Sequence, residues 1–298
     1  MPYDSDDAFL RLTVPRVRAA LTEGRRVLVI TRKERLGLLA DALGRDAGHI
    51  DGRAADSWYG HPYRTLAASH EYTRGRRTLV IGEPVWAGRS ERETRELIRY
   101  ESMVNAALVN ASAVLLCLYD LRTVPPAALE YHEVNHPLLL GGDGETPSTR
   151  FVPPQELVLS GDLAPLPEPG PGAVTLRFTG RELKRLRHGV GEWARTAGLA
   201  ADLVTSLVIS VSEIAANSVE HGAGHGTITM WNADGELICE IADPGGALED
   251  PLPGYIPPEP ESPRGYGLWI SRQLCDLVEL RAEGGVLRVR LHLSLGRV

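Results

Sequence analysis

The chain has 298 residues, with 32 Lys plus Arg against 39 Asp plus Glu and so a formal net charge of −7. That length allows one or two domains with room for real cores, and the acidic balance argues against a protein that coats nucleic acid. No leader of charged, apolar and small residues opens the sequence and no apolar run is long enough to span a bilayer, so a cytoplasmic protein without a membrane segment is expected.

The three cysteines, Cys117, Cys239 and Cys275, sit in apolar settings without metal spacing and read as core residues of a reducing compartment. Residues 8–24 form an amphipathic helix despite Pro15, with Gly24 past its end. Val27–Ile30 is a short continuous apolar strand of the kind buried on both faces. A helix follows from Glu34 to Leu43, another over 61–75, a second buried strand at Thr78–Ile81 and a long helix over Arg89–Ala111. Ala113–Tyr119 is a third strand and Pro126–His132 starts a short helix. Such alternation of strand and helix predicts a parallel sheet covered on both faces, with any ligand at the carboxyl ends of its strands. Those ends are Thr31–Lys33, Gly82–Trp86 and Tyr119–Arg122. No Gly-x-x-x-x-Gly-Lys-Ser/Thr is present, so this half should not bind a nucleotide through a P-loop.

His132 and His136 stand four apart beside Glu133, a spacing that suggests a metal pair. Pro137 follows at once and no third ligand is evident, so a polar helix end before a turn is expected instead. From 141 to 172 the composition shifts to Gly and Pro, the mark of an inter-domain linker, with the apolar stretch Phe151–Leu159 docked on one domain.

The second half opens with a strand at Val174–Phe178 and a basic amphipathic helix over Arg181–Ala197, whose Leu183, Leu186, Val190 and Trp193 share a face. An apolar helical run, Leu203–Val211, continues into Glu213-Ile-Ala-Ala-Asn217-Ser-Val-Glu-His221 and stops at Gly222. Residues four apart lie one above the other, so Glu213, Asn217 and His221 form a polar stripe: a proton acceptor, an amide oxygen suited to a hard cation and an imidazole. By itself that stripe also reads as the polar edge of a half-exposed helix. Two strands follow, Thr227–Trp231 and Glu236–Ala242, around the turn Ala233-Asp-Gly235. The second ends in Asp243-Pro-Gly-Gly246, where a carboxylate can accept from a ligand amine while the backbone comes close. A Pro-rich stretch from Pro251 to Pro263 excludes regular structure. It leads to Arg264-Gly-Tyr-Gly267 and a helix over Leu268–Asp276, and glycines at a helix amino terminus make an anion site.

Glu213-x-x-x-Asn217, Asp243-x-Gly245 and Gly265-x-Gly267-Leu268, in this order, resemble the N, G1 and G2 boxes of the GHKL ATP-binding fold. The short lid and Gly-Tyr-Gly-Leu-Trp-Ile-Ser-Arg-Gln-Leu-Cys-Asp276 look most like the anti-sigma serine-kinase branch of actinobacteria. The resemblance covers residues 173–298 and implies an α+β Bergerat sandwich that binds ATP or ADP with Mg²⁺. In it Asn217 ligates the metal, Asp243 accepts from the adenine amino group and Gly245 lines the base. Gly265 and Gly267, followed by Leu268, hold phosphates beside Arg264, the lid's one cation, and Glu213 is the general base. In the first half, Gly82-Glu-Pro-Val-Trp-Ala-Gly-Arg-Ser90 and Leu115-Leu-Cys-Leu-Tyr-Asp120 resemble the MEDS sensory domain over residues 6–140, which implies a RecA-like sheet; Tyr100 stands where that family has a His. The resemblances together imply a homodimeric ATP-binding anti-sigma factor. It would sequester a sigma factor, answer to a STAS-type antagonist and phosphorylate it on Ser or Thr. Two further readings stand beside this one: a non-catalytic regulator gated by nucleotide, and a small-molecule sensor acting through residues 6–140. The acidic lid residues Glu249, Asp250, Glu259 and Glu261 favour the former, Glu213 the kinase.

Overall fold

The computed structural model describes residues 1–141, 144–161, 165–246, 248, 250–258 and 265–296. The chain divides into two units, Met1–Leu157 and Val158–Val298.

The first unit runs β1 (Pro2–Tyr3), α1 (Asp6–Thr22), β2 (Arg26–Thr31), α2 (Lys33–Leu43), β3 (Asp51–Ala54), α3 (Ala55–Trp58), α4 (Pro62–Thr73), β4 (Thr78–Gly82) and α5 (Glu91–Ala107). Then come β5 (Ala113–Cys117), β6 (Tyr119–Asp120), α6 (Pro126–Glu130), α7 (His132–Asn135), β7 (Leu138–Gly141) and β8 (Gly144–Pro147), and α8 (Pro154–Gly161) straddles the division. Strands β3, β2, β4 and β5 pair in that order, all parallel. Side chains alternate across a strand. Val27, Val29, Leu79 and Ile81 therefore pack with Phe9 and Val17 of α1 and Leu39 and Leu43 of α2. Their neighbours Ile30, Val80 and Leu115 turn the other way, towards Ser69 of α4 and Tyr100 and Val104 of α5. Burial on both faces is why these strands read as unbroken apolar runs.

Several expectations shift. The edge strand β3, Asp51-Gly-Arg-Ala, has no apolar run to announce it. The strand expected over 113–119 breaks at Leu118, and Tyr119–Asp120 pairs instead with β1. The long helix is shorter, because Ser90 and Glu93 close a capping box at its start and it ends at Ala107. His132 and His136 each engage a backbone carbonyl, of Leu129 and His132, and set their rings edge-on to Tyr119. Among the described residues no group of three metal-ligating side chains forms.

The carboxyl ends of the strands, where a ligand was expected, are closed by the chain's own charges. Arg35 of α2 bonds both Glu83, just past β4, and Asp120 of β6, while Glu83 also accepts from Thr31 and, at 2.8 Å, from the Tyr3 hydroxyl. Burial opposes charge on Asp120, yet hydrogen bonds from Arg122 and Arg35 outweigh it and lower its pKa to about 2.

The second unit holds β9 (Val174–Thr179), α9 (Leu183–Thr196), α10 (Ala201–Glu220), β10 (His225–Ala233), β11 (Glu236–Asp243), α11 (Tyr266–Leu274), β12 (Leu277–Glu283) and β13 (Val286–Ser294). Its sheet is antiparallel throughout, in the order β12-β13-β11-β10-β9. The hairpin between β10 and β11 turns on Asp234 and Gly235, both at positive φ, the backbone that a two-residue turn demands. Alternation puts Ile228, Met230, Leu237, Cys239, Ile241, Val289 and Leu291 on one face, packed under Leu186 and Val190 of α9 and Leu207, Val211 and Ile214 of α10. By length and hydropathy α10 could cross a membrane, against the sequence expectation, but its apolar face is spent on this core.

The linker expected over 141–172 is partly ordered structure. β7 and β8 form a hairpin, α8 occupies 154–161, and the Pro167 carbonyl accepts from Arg290 at 2.7 Å on the outer face of the second sheet. Gly170 lies against Trp231 so closely that a Cβ would meet the indole at 3.2 Å.

One buried acid gives the first unit a distinct pH response. Glu101 is 5% exposed, accepts from Tyr119 at 2.6 Å, and burial raises its pKa to about 7. Between its unfolded value of 4.5 and about 7 the folded chain binds the extra proton, so stability falls as pH rises through that window. Burial lowers the His136 pKa to about 4, so this second side chain makes stability rise with pH towards 6.5 and opposes Glu101. The difference in melting between the parent and Glu101→Gln isolates the acid and should change by on the order of 3 kcal/mol between pH 4.5 and 7.

Candidate functional site

The register of the second sheet decides where the site forms. Asp243 ends β11 with the parity of Leu237, Cys239 and Ile241, so its carboxylate turns to the face covered by helices. There it is 5% exposed, and its Oδ1 accepts from the backbone N–H groups of Ala223 and Gly245, both at 3.1 Å. Its Oδ2 lies over Gly222, where a Cβ would stand 1.7 Å away. The chain leaving α10 thus passes directly against the carboxylate, and only glycine leaves room for it.

On α10 the buried stripe Leu207, Val211, Ile214 and Ser218 enters the core and leaves Glu213 and Asn217 at its flank. Gly267 of α11 rests on that flank: a Cβ there would meet the Asn217 amide nitrogen at 3.0 Å and Glu213 Oε2 at 3.4 Å. Gly265 precedes α11 at φ 95°, in the left-handed region, and among the described residues no side chain caps that amino terminus, whose dipole suits an anion. A cavity of about 710 Å³ opens between these pieces. Glu213, Asn217 and His221 of the helix, Asp243 and Ile241 of β11, Leu287 and Val289 of β13, and Gly265, Gly267 and Leu268 all line it.

Of the residues picked from sequence, Glu213, Asn217, Asp243, Gly265, Gly267 and Leu268 thus share one cavity. Gly246, not Gly245, lines it; Gly245 packs on Ala223 and its N–H is turned to Asp243. Arg264 lies outside the described residues, as do Glu249, Glu259 and Glu261. Among the described lining residues there is no Lys or Arg.

Sequence reasoning missed two supports. Gly222 was read only as a helix stop, although its role is the close passage to Asp243. Arg272 was not singled out within the helix expected over Leu268–Asp276, but it is 2% exposed. It donates to the carbonyls of Pro253 and Val278, each at 3.0 Å, and stacks on Tyr255 at 3.8 Å. The one available signal was its place in the run Leu268–Asp276, an arginine flanked by residues that must enter the core.

The second unit is thus an antiparallel five-stranded sheet with helices on one face and a cavity between helix and strand end, and the first unit is built on a separate parallel sheet. Comparison with known proteins makes both specific. Residues 176–291 match the family described as histidine kinase-like ATPase domain. Residues 1–137 match MEDS, the methanogen/methylotroph, DcmR sensory domain. The chain therefore joins an amino-terminal MEDS domain to a carboxy-terminal histidine kinase-like ATPase domain. No curated protein matches it. A solved structure, the RsbU and RsbW domains of Rv1364c from Mycobacterium tuberculosis, is similar to 45% of this chain at 20% identity with a TM-score of 0.32. The match spans 34% of that neighbour's chain, about a third of its length.

Gly222→Ala tests the close passage. The new methyl displaces the Asp243 carboxylate from the two N–H groups that hold it, and the variant should lose about 1–3 kcal/mol in urea denaturation. Gly189→Ala, at a position where a Cβ meets nothing within 4 Å, should not.

Proposed function

We propose that the second unit binds ATP with Mg²⁺ and that the chain is an anti-sigma regulator working from the nucleotide state of this site. The observation that carries the reading is the convergence of Asp243, the Glu213–Asn217 flank and the uncapped start of α11 on one cavity, whose volume lies in the range of about 300–1,000 Å³ usual for small ligands. The donor set fits such a ligand at each end. Asp243 has one oxygen held by backbone and the other at the wall, suited to a base amine. The Asn217 amide oxygen suits a hard cation, and the α11 amino terminus suits phosphate.

In this reading residues 6–140 are the sensory domain, 141–172 the connection and 173–298 the ATP-binding module, which acts in the cytoplasm as a homodimer. The module holds a sigma factor in the ATP state. A STAS-type antagonist releases it and is phosphorylated on Ser or Thr, with Glu213 taking the proton of the attacking hydroxyl. Bound Mg²⁺ would supply charge neutralisation at the phosphates. A second reading, a nucleotide-gated regulator that holds its partner without transfer, is supported by the absence of Lys and Arg among the described lining residues, since phosphoryl transfer needs cationic help.

Calorimetric titration with ATP and Mg²⁺ tests the site. The parent should bind, and Asn217→Ala and Asp243→Asn should each lose at least about tenfold in affinity; a parent that does not bind overturns the reading. Incubation of the full chain with γ-labelled ATP and a STAS-domain protein then separates the two alternatives. Label should move to the antagonist with the parent and not with Glu213→Gln, while nucleotide affinity is retained by both.

A further inference from the structure

Arginine is rarely interred without a purpose, because an ion taken from water must be repaid in hydrogen bonds and charge contacts. Arg272 is the largest of the fully buried side chains among the described residues. Its contacts join its own helix to two other segments, one on each side of it in sequence. Nε reaches the carbonyl of Pro253 in the segment before α11, Nη1 reaches that of Val278 in β12, and the guanidinium plane lies 3.8 Å from the centre of the Tyr255 ring. A planar fork with donors on separate edges and a face for stacking does all three at once; an ammonium cannot.

What the fork holds down is a tight turn, Pro253-Gly-Tyr255, and the turn in turn bears on α11. Gly254 has φ 72°, and a Cβ on it would stand 2.7 Å from the Leu268 carbonyl carbon and 2.8 Å from the Trp269 nitrogen. Leu252 and Tyr255 on either side are 4% and 3% exposed, and Asp250 caps the turn by accepting from the Leu252 N–H at 2.8 Å. Contact passes from Arg272 to Pro253 and Tyr255, through Gly254 to Leu268, and from the same turn of α11 through Gly267 to Asn217 and Glu213. The first turn of α11 is therefore gripped from both sides: by α10 beneath Gly267 and by the turn that Arg272 anchors over Leu268.

We propose that Arg272 is a positioning residue for the phosphate end of the cavity: by clamping the Pro253–Tyr255 turn onto α11 it fixes the direction of that helix's first turn. It rests on the nucleotide reading and adds to it a division of labour. Asp243 and β11 hold the end of the ligand that carries the base; Arg272, without touching the ligand, sets the end that carries charge.

That division gives a readout which mere loss of stability would not produce. Arg272→Lys keeps the charge and one carbonyl bond but loses the fork and the stack. Its affinity for ATP with Mg²⁺ should fall about tenfold, the worth of one or two charge-assisted hydrogen bonds. Its affinity for adenosine, which lacks phosphate, should stay within about twofold of the parent's by equilibrium dialysis, since the Asp243 end is untouched. Tyr255→Leu removes the stack while leaving the guanidinium its two carbonyl bonds and should show the same selective loss in smaller degree, which keeps the test decisive if the lysine variant fails to fold. Equal weakening of ATP and adenosine, or no weakening of either, in the folded variants overturns the proposal while leaving the nucleotide reading intact. A parent that binds neither overturns the nucleotide reading and this proposal with it.

Discussion

The carboxy-terminal unit depends on two places where glycine lets backbone meet side chain closely, with no room for a Cβ at the first and a tight fit at the second. At Gly222 the chain leaving α10 crosses the Asp243 carboxylate, and at Gly267 the first turn of α11 settles on Glu213 and Asn217. These contacts fix α10, β11 and α11 around a common space. A methyl group at Gly222 would push apart the surfaces that form the site before it disturbed the core beneath. The cavity is a product of close approach rather than of loose packing.

That geometry also accounts for the distribution of polar groups. Asp243 is buried, but two backbone N–H groups occupy one of its oxygens and hold its direction. A carboxylate so anchored loses little entropy when a ligand arrives, the general advantage of a preorganised site. The amino terminus of α11, with no side-chain cap, presents partial positive charge at the opposite end of the same space. A ligand with a hydrogen-bond donor at one end and anionic groups at the other matches this polarity.

The amino-terminal unit makes the contrasting choice. Its strand ends, the place where a parallel sheet ordinarily receives a ligand, are filled by Arg35, Glu83, Asp120, Tyr3 and Thr31 bonded to one another. Thr31, Glu83 and Asp120 were visible in the sequence at strand ends and Arg35 just beyond one, while Tyr3 lay in no expected element, and nothing in their spacing told that they would neutralise each other. Pairing between β1 and β6 brings Tyr3 to Glu83, eighty positions away, and no local pattern encodes such a contact.

The sequence by itself determined the elements and the chemical inventory. Unbroken apolar runs at 27–30 and 78–81 announce strands buried on both faces. The polar stripe from Glu213 to Asn217, the acid at a strand end and the glycines before a helix were legible because period and residue type are local properties. Tertiary structure alone decided how they are joined. Strand parity turned Asp243 to the helices, an edge strand without an apolar run completed the first sheet, and Gly246 took the lining place expected of Gly245. It also buried Arg272, whose partners Pro253 and Val278 belong to segments on either side of its own helix. Burial and close approach depend on what the rest of the chain brings alongside, and that information lies in the packing of residues distant in sequence.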